Sequence, residues 1–191
     1  MSLTLSEFIE YSDSYPVIPS IKSEEWLQSA LEAENPVVYV IYGDICTIGS
    51  IVDTLKQAGK KVIVHIDLIV GLAPKEVSVD FIRQFTQADG IISSKPALIK
   101  RAKMLGLFTI QRYHIYDVVA YRNVEKLIKT SDPDIIEFMP AGLTKGIAYL
   151  MEGVQRPFTA SGMILDKEDI INALNIGVVA VSTTNRPLWN C

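Results

Sequence analysis

The chain has 191 residues, of which 49% are hydrophobic and 21% charged, a composition typical of ordinary soluble globular proteins and unlike that of disordered chains. Its net charge of −4, taken alone, argues against binding to nucleic acid. Its two cysteines cannot form a disulfide framework. No apolar run approaches the roughly 20 residues that span a bilayer, and no basic stretch followed by an apolar one opens the chain as in a signal peptide. We therefore expect a cytoplasmic protein with no membrane association.

Short apolar runs alternate with helical periodicity along the chain, which predicts repeated βα units and a parallel sheet. Gly59, Gly106 and Gly177 each follow a helical pattern, where a left-handed residue commonly ends a helix. Amphipathic stretches at 23–33, 45–58, 77–85, 97–105 and 167–174 are predicted as helices. Eight runs are predicted as strands: 17–18, 37–41, 61–67, 90–93, 108–111, 135–139, 158–160 and 178–182.

Eight consecutive βα units predict the fold class α/β, as a compact (β/α)8 TIM-type barrel of parallel strands. The simplest organisation is a single domain over residues 1–191, with an N-terminal extension at 1–15 and the barrel at 16–189. An open doubly wound sheet is the alternative. It lacks its main sign here, because no Gly-x-Gly-x-x-Gly follows an early strand.

Two loops of small and hydroxyl residues follow strands 7 and 8, where barrels of this type commonly bind phosphate. Small residues let backbone N–H groups approach phosphate oxygens, and hydroxyls add further donors. A turn and a helix N-cap would explain either loop taken alone. Two loops at these strand numbers favour a phosphate site formed by Ser161, Gly162, Ser182, Thr183 and Thr184.

Polar side chains also lie at the carboxyl ends of other strands, which form the mouth of a barrel. Alternation along strand 3 places His65 and Asp67 on the inner face, and the same pattern turns Gln111 and Glu137 inward. Arg112 lies just past the predicted end of strand 5. A buried polar network that only completes the core is the alternative to a ligand pocket.

Positive charge is concentrated between Lys95 and Lys129, where eight cations face two acids for a local charge of +6. Tyr113, Tyr116 and Tyr121 lie within this segment, and tyrosines can stack on unpaired bases while cations contact phosphates. A solvated helix face with core tyrosines explains the residues equally well. The candidate RNA contacts are Lys95, Lys100, Arg101, Lys103, Tyr113, Arg122 and Lys126.

Three enzyme chemistries fit the residues poorly, so no catalytic residue, metal or cofactor is predicted. His65, Asp67 and Glu137 supply too few ligands for a metal-dependent epimerase. A Schiff-base aldolase needs a lysine on an inner strand, and strand 6 offers Glu137 instead. A glycerophosphodiesterase needs a His-Arg pair after strand 1, where this chain has Pro19-Ser20. An enzyme acting on a small phosphorylated substrate stays open as an alternative, because a histidine and a carboxylate permit acid–base catalysis.

A series of short motifs occurs in order and without large gaps: His65-Ile66-Asp67-Leu68-Ile69-x-Gly71, Gly90-Ile91-Ile92-Ser93, Ile110-Gln111-Arg112, Ile136-Glu137-Phe138-Met139-Pro140, Val178-Val179-Ala180-Val181-Ser182-Thr183-Thr184 and Leu188-Trp189. Together these motifs closely resemble the glycerol-uptake operon antiterminator family of bacteria. Loop 7 departs from the family pattern, since it reads Ala-Ser-Gly where a second glycine is common.

The resemblance implies a regulator that responds to glycerol-3-phosphate and binds the leader mRNA of glycerol-metabolism genes, so that transcription passes a terminator. It favours RNA contact over a merely solvated basic face. The polar strand-end residues described above would then form the effector pocket, namely His65, Asp67, Gln111, Arg112 and Glu137, with His65, Asp67 or Glu137 available for the glycerol hydroxyls. A metabolite sensor that acts through a protein partner is the alternative from another class, and a homo-oligomer is compatible with either.

Overall fold

Eight parallel strands alternate with helices in a computed structural model that describes residues 3–191, apart from the side chains of Val118, Asn123 and Glu125. The first two residues of the predicted N-terminal extension lie outside the described residues. The strands are β1 Val17–Ile21, β2 Val37–Val40, β3 Lys61–His65, β4 Gly90–Ser93, β5 Phe108–His114, β6 Ile135–Met139, β7 Phe158–Ser161 and β8 Ala180–Thr183. The helices are α1 Leu5–Ser14, α2 Leu27–Glu32, α3 Ile48–Gln57, α4 Glu76–Phe85, α5 Pro96–Met104, α6 Val118–Ser131, α7 Thr144–Glu152 and α8 Lys167–Asn175, with 3-10 helices at Glu24–Trp26, Ile66–Leu68 and Arg186–Leu188.

Each strand pairs in parallel with the next, and β8 pairs with β1, so the sheet closes into a barrel. The predicted (β/α)8 fold is confirmed, and the open doubly wound alternative is wrong. The register places Arg112 beside Glu137 and Ser161 beside Ser182 across neighbouring strands. Polar residues of β5 to β8 are thereby brought to one side of the mouth.

Alternation along the strands separates an inner from an outer apolar layer. Ile63 packs inside the barrel with Tyr39 and Ile92, whereas Val62 and Val64 pack against the surrounding helices. A fully buried branched side chain contributes about 1.5–3 kcal/mol to stability. Apolar burial on both faces of a strand therefore stabilises the barrel. The predicted facing is confirmed for Val62, Ile63 and Val64, whereas Asp67 lies in the 3-10 helix Ile66–Leu68 and not on the strand.

Helix α1 closes the end of the barrel opposite the mouth. Thr4 caps this helix: its hydroxyl accepts the Glu7 N–H at 3.2 Å, and the Glu7 carboxylate accepts the Thr4 N–H at 2.8 Å. Phe8 is fully buried and stacks on Phe108 with ring centroids 5.3 Å apart. The predicted N-terminal extension thus contributes core packing, and ligand access is left to the opposite end.

The predicted elements agree with the structure except at several boundaries. Strand β5 continues three residues beyond its predicted end, to His114, and the predicted end of strand 3 forms a 3-10 helix instead. The three glycines predicted after helices all have positive φ, between +72° and +98°. Within the described residues, none of the helices is long and apolar enough to cross a membrane.

Candidate functional site

A cavity of about 130 Å³ opens at the carboxyl ends of the strands. All five residues predicted to bind phosphate line it, and Arg112 joins them. Sequence reasoning missed four further lining residues, whose only signal was their position at or just beyond the carboxyl ends of strands. The lining residues are Ser20, Ile41, Arg112, Met139, Ser161, Gly162, Ile164, Ser182, Thr183 and Thr184.

A larger cavity of about 370 Å³ lies at the opposite end of the barrel, near Lys56 and Arg83. Its cation Lys56 already forms an ion pair with Asp89 at 2.6 Å. Barrels of this class place their sites at the carboxyl ends of the strands, because the βα loops converge there. We therefore assign the candidate site to the smaller cavity.

Arg112 and Glu137 form a buried ion pair at the base of this cavity. Arg112 Nε donates to Glu137 Oε2 at 2.5 Å, and Ser182 Oγ donates to Glu137 Oε1 at 3.0 Å. Glu137 is fully buried and Arg112 is 7% exposed. Glu137 therefore holds two residues that line the cavity, Arg112 and Ser182, but does not line it itself. Its predicted place in the pocket is corrected to that of a positioning residue.

The loop after β7 presents a hydroxyl and a tight backbone to the cavity. Ser161 Oγ is buried and has no hydrogen-bond partner in the described part of the chain. Gly162 has φ +74°, and a Cβ there would lie 2.8 Å from Met139 Cγ. Only glycine fits this position without strain. The loop thus offers a hydroxyl donor beside backbone that a ligand can approach closely.

The loop after β8 is held in place by two side chains. Trp189 Nε1 donates to the Thr183 carbonyl at 2.9 Å, and Thr183 Oγ1 accepts the Asn185 N–H at 3.0 Å. Asn185 Nδ2 also donates to the Leu165 carbonyl at 2.8 Å, which joins this loop to the one after β7. The two loops therefore form one cross-linked rim with Ser161 at its inner edge.

His65 is 4% exposed at the end of β3, and its Nδ1 has no partner among the described residues. Burial, followed by the positive charge of Arg112, lowers the pKa of His65 to about 3. The imidazole is therefore neutral at physiological pH. His65 does not line the cavity, although it lies close enough to Arg112 to sense its charge.

Asp67 serves as a link between strand ends. It accepts hydrogen bonds from Ser93 Oγ at 2.8 Å, from the Ser94 N–H at 2.7 Å and from Ser94 Oγ at 2.9 Å. These bonds occupy both carboxylate oxygens and tie the loop after β3 to the loop after β4. Asp67 does not line the cavity, so its predicted pocket role is corrected. No group of three His, Cys, Asp or Glu residues that could hold a metal occurs in the described part of the chain.

The predicted inward facing of Gln111 is wrong. Its Oε1 accepts a hydrogen bond from Ser131 Oγ on α6, so the side chain lies between β5 and the outer helices. Ile110 packs inside the barrel, and alternation then turns Arg112 inward and Gln111 outward. The sequence placed Arg112 beyond the strand because β5 was predicted to end at Gln111.

The basic segment is divided by the fold into paired and unpaired cations. Arg101 pairs with Asp80 at 2.7 Å, and Lys103 pairs with Asp132 at 2.8 Å and with Asp134 at 3.7 Å. The remaining candidate cations are exposed and form no ion pair with any described side chain. They are Lys95, Lys100, Arg122 and Lys126.

Tyr113 was predicted to contact RNA, and the structure contradicts this. The side chain is only 6% exposed, and its ring packs 6.0 Å from that of Phe138 between β5 and the outer helices. A buried ring has no free face for a base to stack on. Alternation is again the reason, since Tyr113 follows the inward Arg112.

Comparison with known proteins agrees with the sequence resemblance. Residues 17–189 match the model of the family described as glycerol-3-phosphate responsive antiterminator. YgcP of Escherichia coli (strain K12) is 42% identical over 174 residues, which is 91% of each chain. The glycerol uptake operon antiterminator regulatory protein of Listeria monocytogenes str. 4b F2365 is 28% identical, with a TM-score of 0.88 over 91% of this chain and 94% of that one. A glycerol uptake operon antiterminator-related protein of Thermotoga maritima MSB8 is also 28% identical, with a TM-score of 0.80 over 92% of this chain and 98% of that one. The chain therefore belongs to the glycerol-3-phosphate responsive antiterminator family.

Proposed function

We propose that this protein binds glycerol-3-phosphate at the barrel mouth and, in that state, binds the leader mRNA of glycerol-metabolism genes to allow transcription past a terminator. The observation that carries the effector site is the cavity that combines the Arg112 guanidinium with the unpartnered hydroxyl of Ser161. The expected effector is a small anion, because the cavity is below the 300–1,000 Å³ of most ligand pockets.

The phosphate is expected to lie against Ser161–Gly162 and Ser182–Thr184, with Arg112 as the charged partner. Hydrogen bonds between a guanidinium and a phosphate are charge-assisted and roughly twice as strong as neutral ones. The carbon skeleton would contact Met139 and Ile164, which give the cavity an apolar wall.

Calorimetric titration with glycerol-3-phosphate tests the effector site, with glycerol and inorganic phosphate as ligand controls. Ser161→Ala should weaken binding roughly 10-fold, since a charge-assisted hydrogen bond is worth about 1.5–3 kcal/mol. Ser6→Ala is the matched control, because Ser6 is exposed on α1 at the far end of the barrel. Equal binding of glycerol-3-phosphate by the wild type and Ser161→Ala would show that the phosphate lies elsewhere.

RNA binding is tested with leader transcripts of glycerol-metabolism genes from the same genome, with and without the effector. Lys95, Lys100, Arg122 and Lys126 are the expected phosphate contacts, because they are exposed and unpaired with any described acid. Lys100→Ala should weaken binding and reduce the slope of log affinity against log salt by about 0.7–0.9. If the leader transcript shows no salt-dependent binding to the protein, a sensor that acts through a protein partner would be favoured.

An enzyme acting on a small phosphorylated substrate is the second candidate, and neutral His65 near Arg112 is the observation that favours it. A neutral imidazole can accept a proton. The described residues that line the cavity include no lysine for Schiff-base chemistry. Phosphorus NMR of the protein with glycerol-3-phosphate separates the two functions, because conversion to product would establish an enzyme and unchanged effector supports a regulator.

A further inference from the structure

A groove of about 400 Å³ lies between the start of α6 and the start of α7, outside the effector cavity. Ile115, Tyr116 and Tyr121 line it from the α6 side, and Leu143 and Gly146 from the α7 side. Its volume falls in the range of small-molecule pockets. The groove is therefore large enough to receive a planar aromatic group.

Exposed aromatic rings surround this groove. Tyr116 is 82% exposed and lies parallel to His114, with ring centroids 5.7 Å apart and an interplanar angle of 6°. Tyr149 is 67% exposed and packs against Tyr121 at 6.0 Å across the two helices. Exposed apolar surface of this kind commonly marks an interaction site.

Two cations adjoin lining residues along the chain, while the one charged residue among the described residues that line the groove is Asp117. Arg122 follows Tyr121 on α6, and Lys145 precedes Gly146 on α7, and both cations are exposed. The Asp117 carboxylate also borders the groove, where it accepts the Ala120 N–H at 2.8 Å. A carboxylate oxygen can accept a hydrogen bond from the amino group of a base.

We infer that this groove holds an unpaired base of the RNA, stacked against Tyr116, with Arg122 and Lys145 on the flanking phosphates. This inference rests on the proposed function and adds a base-binding site to the phosphate contacts proposed above. A second copy of the chain fits less well, because it would bring Arg122 and Lys145 of both chains to one contact. Nucleic acid supplies a flat ring for the apolar groove and phosphates for the exposed cations Arg122 and Lys145, which adjoin the lining residues Tyr121 and Gly146 along the chain.

Short backbone connections link the groove to the effector cavity. The Ile115 N–H donates to the Met139 carbonyl at 3.0 Å, and Met139 lines the cavity. The Ala141 N–H donates to the Ser161 carbonyl at 2.8 Å, two residues before Leu143 of the groove. An effector that repositions Met139 or Ser161 would therefore move residues next to the groove, which is the route we propose for effector-dependent RNA affinity.

Filling the groove tests the inference. Gly146→Phe places a ring in it, and a Cβ at Gly146 meets no atom within 4 Å, so the fold is expected to persist. Gly142→Phe is the matched control, since Gly142 also has open space but does not line the groove. Tyr116→Ala removes the stacking ring from an exposed position. The measurement is the affinity for the leader transcript at several salt concentrations, with glycerol-3-phosphate present.

Gly146→Phe and Tyr116→Ala should each weaken RNA binding by roughly 5- to 100-fold, the range for loss of one stacked base. The salt slope should stay unchanged, because neither variant removes a cation. Unchanged affinity in either variant, or an equal loss in Gly142→Phe, would overturn the groove site while leaving the proposed function intact. A wild type that binds no leader transcript would refute the proposed function and the groove with it.

Sedimentation of the same variants tests the rival occupant. We expect Tyr116→Ala to leave the oligomeric state of the protein unchanged. A wild-type oligomer that Tyr116→Ala dissociates, with RNA affinity retained, would assign the groove to contact between copies of the chain and overturn the inference.

Discussion

Glu137→Gln should have opposite effects on stability and on effector affinity. Glu137 is fully buried and neutralises the Arg112 guanidinium, which is 7% exposed. Removing one partner of a buried ion pair typically costs about 3–5 kcal/mol, because the other charge is left uncompensated. In a chain of this length 1 kcal/mol shifts the Tm by about 2–4 °C, so the variant should melt roughly 10 °C lower.

The same change should tighten binding of glycerol-3-phosphate. With Arg112 between them, a phosphate and the Glu137 carboxylate would lie on the order of 8 Å apart, which corresponds to a repulsion of about 2 kcal/mol per unit charge at an effective dielectric constant of about 20. Glutamine removes this repulsion and leaves the whole charge of Arg112 for the phosphate. We therefore expect affinity to rise roughly 30-fold, since 1.4 kcal/mol is about tenfold, and saturating effector to raise the Tm of the variant more than that of the wild type.

Thermal unfolding with and without the effector, together with calorimetric titration, checks both effects. Asp132→Asn is the control, since Asp132 is exposed and its pairs with Lys103 and Arg156 lie at the surface. Such surface pairs contribute at most about 1 kcal/mol. A Glu137→Gln variant as stable as the control, or one that binds the effector more weakly than the wild type, would refute this account of the buried pair.

Three further predictions concern the mouth. Gly162→Ala should cost about 1–2 kcal/mol of stability, because a residue with a Cβ is strained in the left-handed backbone conformation of this position. The same Cβ should push Met139 toward the cavity and weaken effector binding about 10-fold in calorimetry. Unchanged affinity would contradict this. The free energy of unfolding should fall by about 2 kcal/mol from pH 7 to pH 5 because of His65, whose folded pKa of about 3 lies below its unfolded value, so that only the unfolded chain binds the extra proton. In urea titrations, His65→Asn should flatten this dependence of the unfolding free energy on pH. An unchanged dependence would exclude His65 as its source. Trp189→Phe should lower the free energy of unfolding by about 1–3 kcal/mol in urea titrations, because it leaves the Thr183 carbonyl without its hydrogen bond, and it should also weaken phosphate binding. An unchanged free energy of unfolding would show that this bond contributes little.

Much of the fold could be predicted because its signals are local. Short apolar runs of two to seven residues mark the strands, and glycines mark the ends of several helices in the sequence itself. Strand β4 has the predicted bounds, Gly90–Ser93, and the two loops predicted to bind phosphate follow β7 and β8. Closure of the sheet also follows from the number of consecutive βα units.

Side-chain facing was harder to predict where a strand lacks a clear apolar pattern. In strand β3 the predicted facing of Val62, Ile63 and Val64 is confirmed. Strand β5 continues through Gln111, Arg112 and Tyr113 with no polar-apolar contrast to set the phase. Its phase is set by Ile110 inside the barrel, and that placement depends on neighbouring strands.

By itself the sequence determined the order of the elements, the parallel barrel and the two loops at its mouth, because these depend on periodicity and on residues close together in the chain. Only the tertiary structure decided which charges are neutralised. Arg112 meets Glu137 across 25 residues, and Arg101 meets Asp80 across 21 residues. An ion pair depends on a distance of a few ångströms between elements, and only the packing of strands and helices establishes that distance.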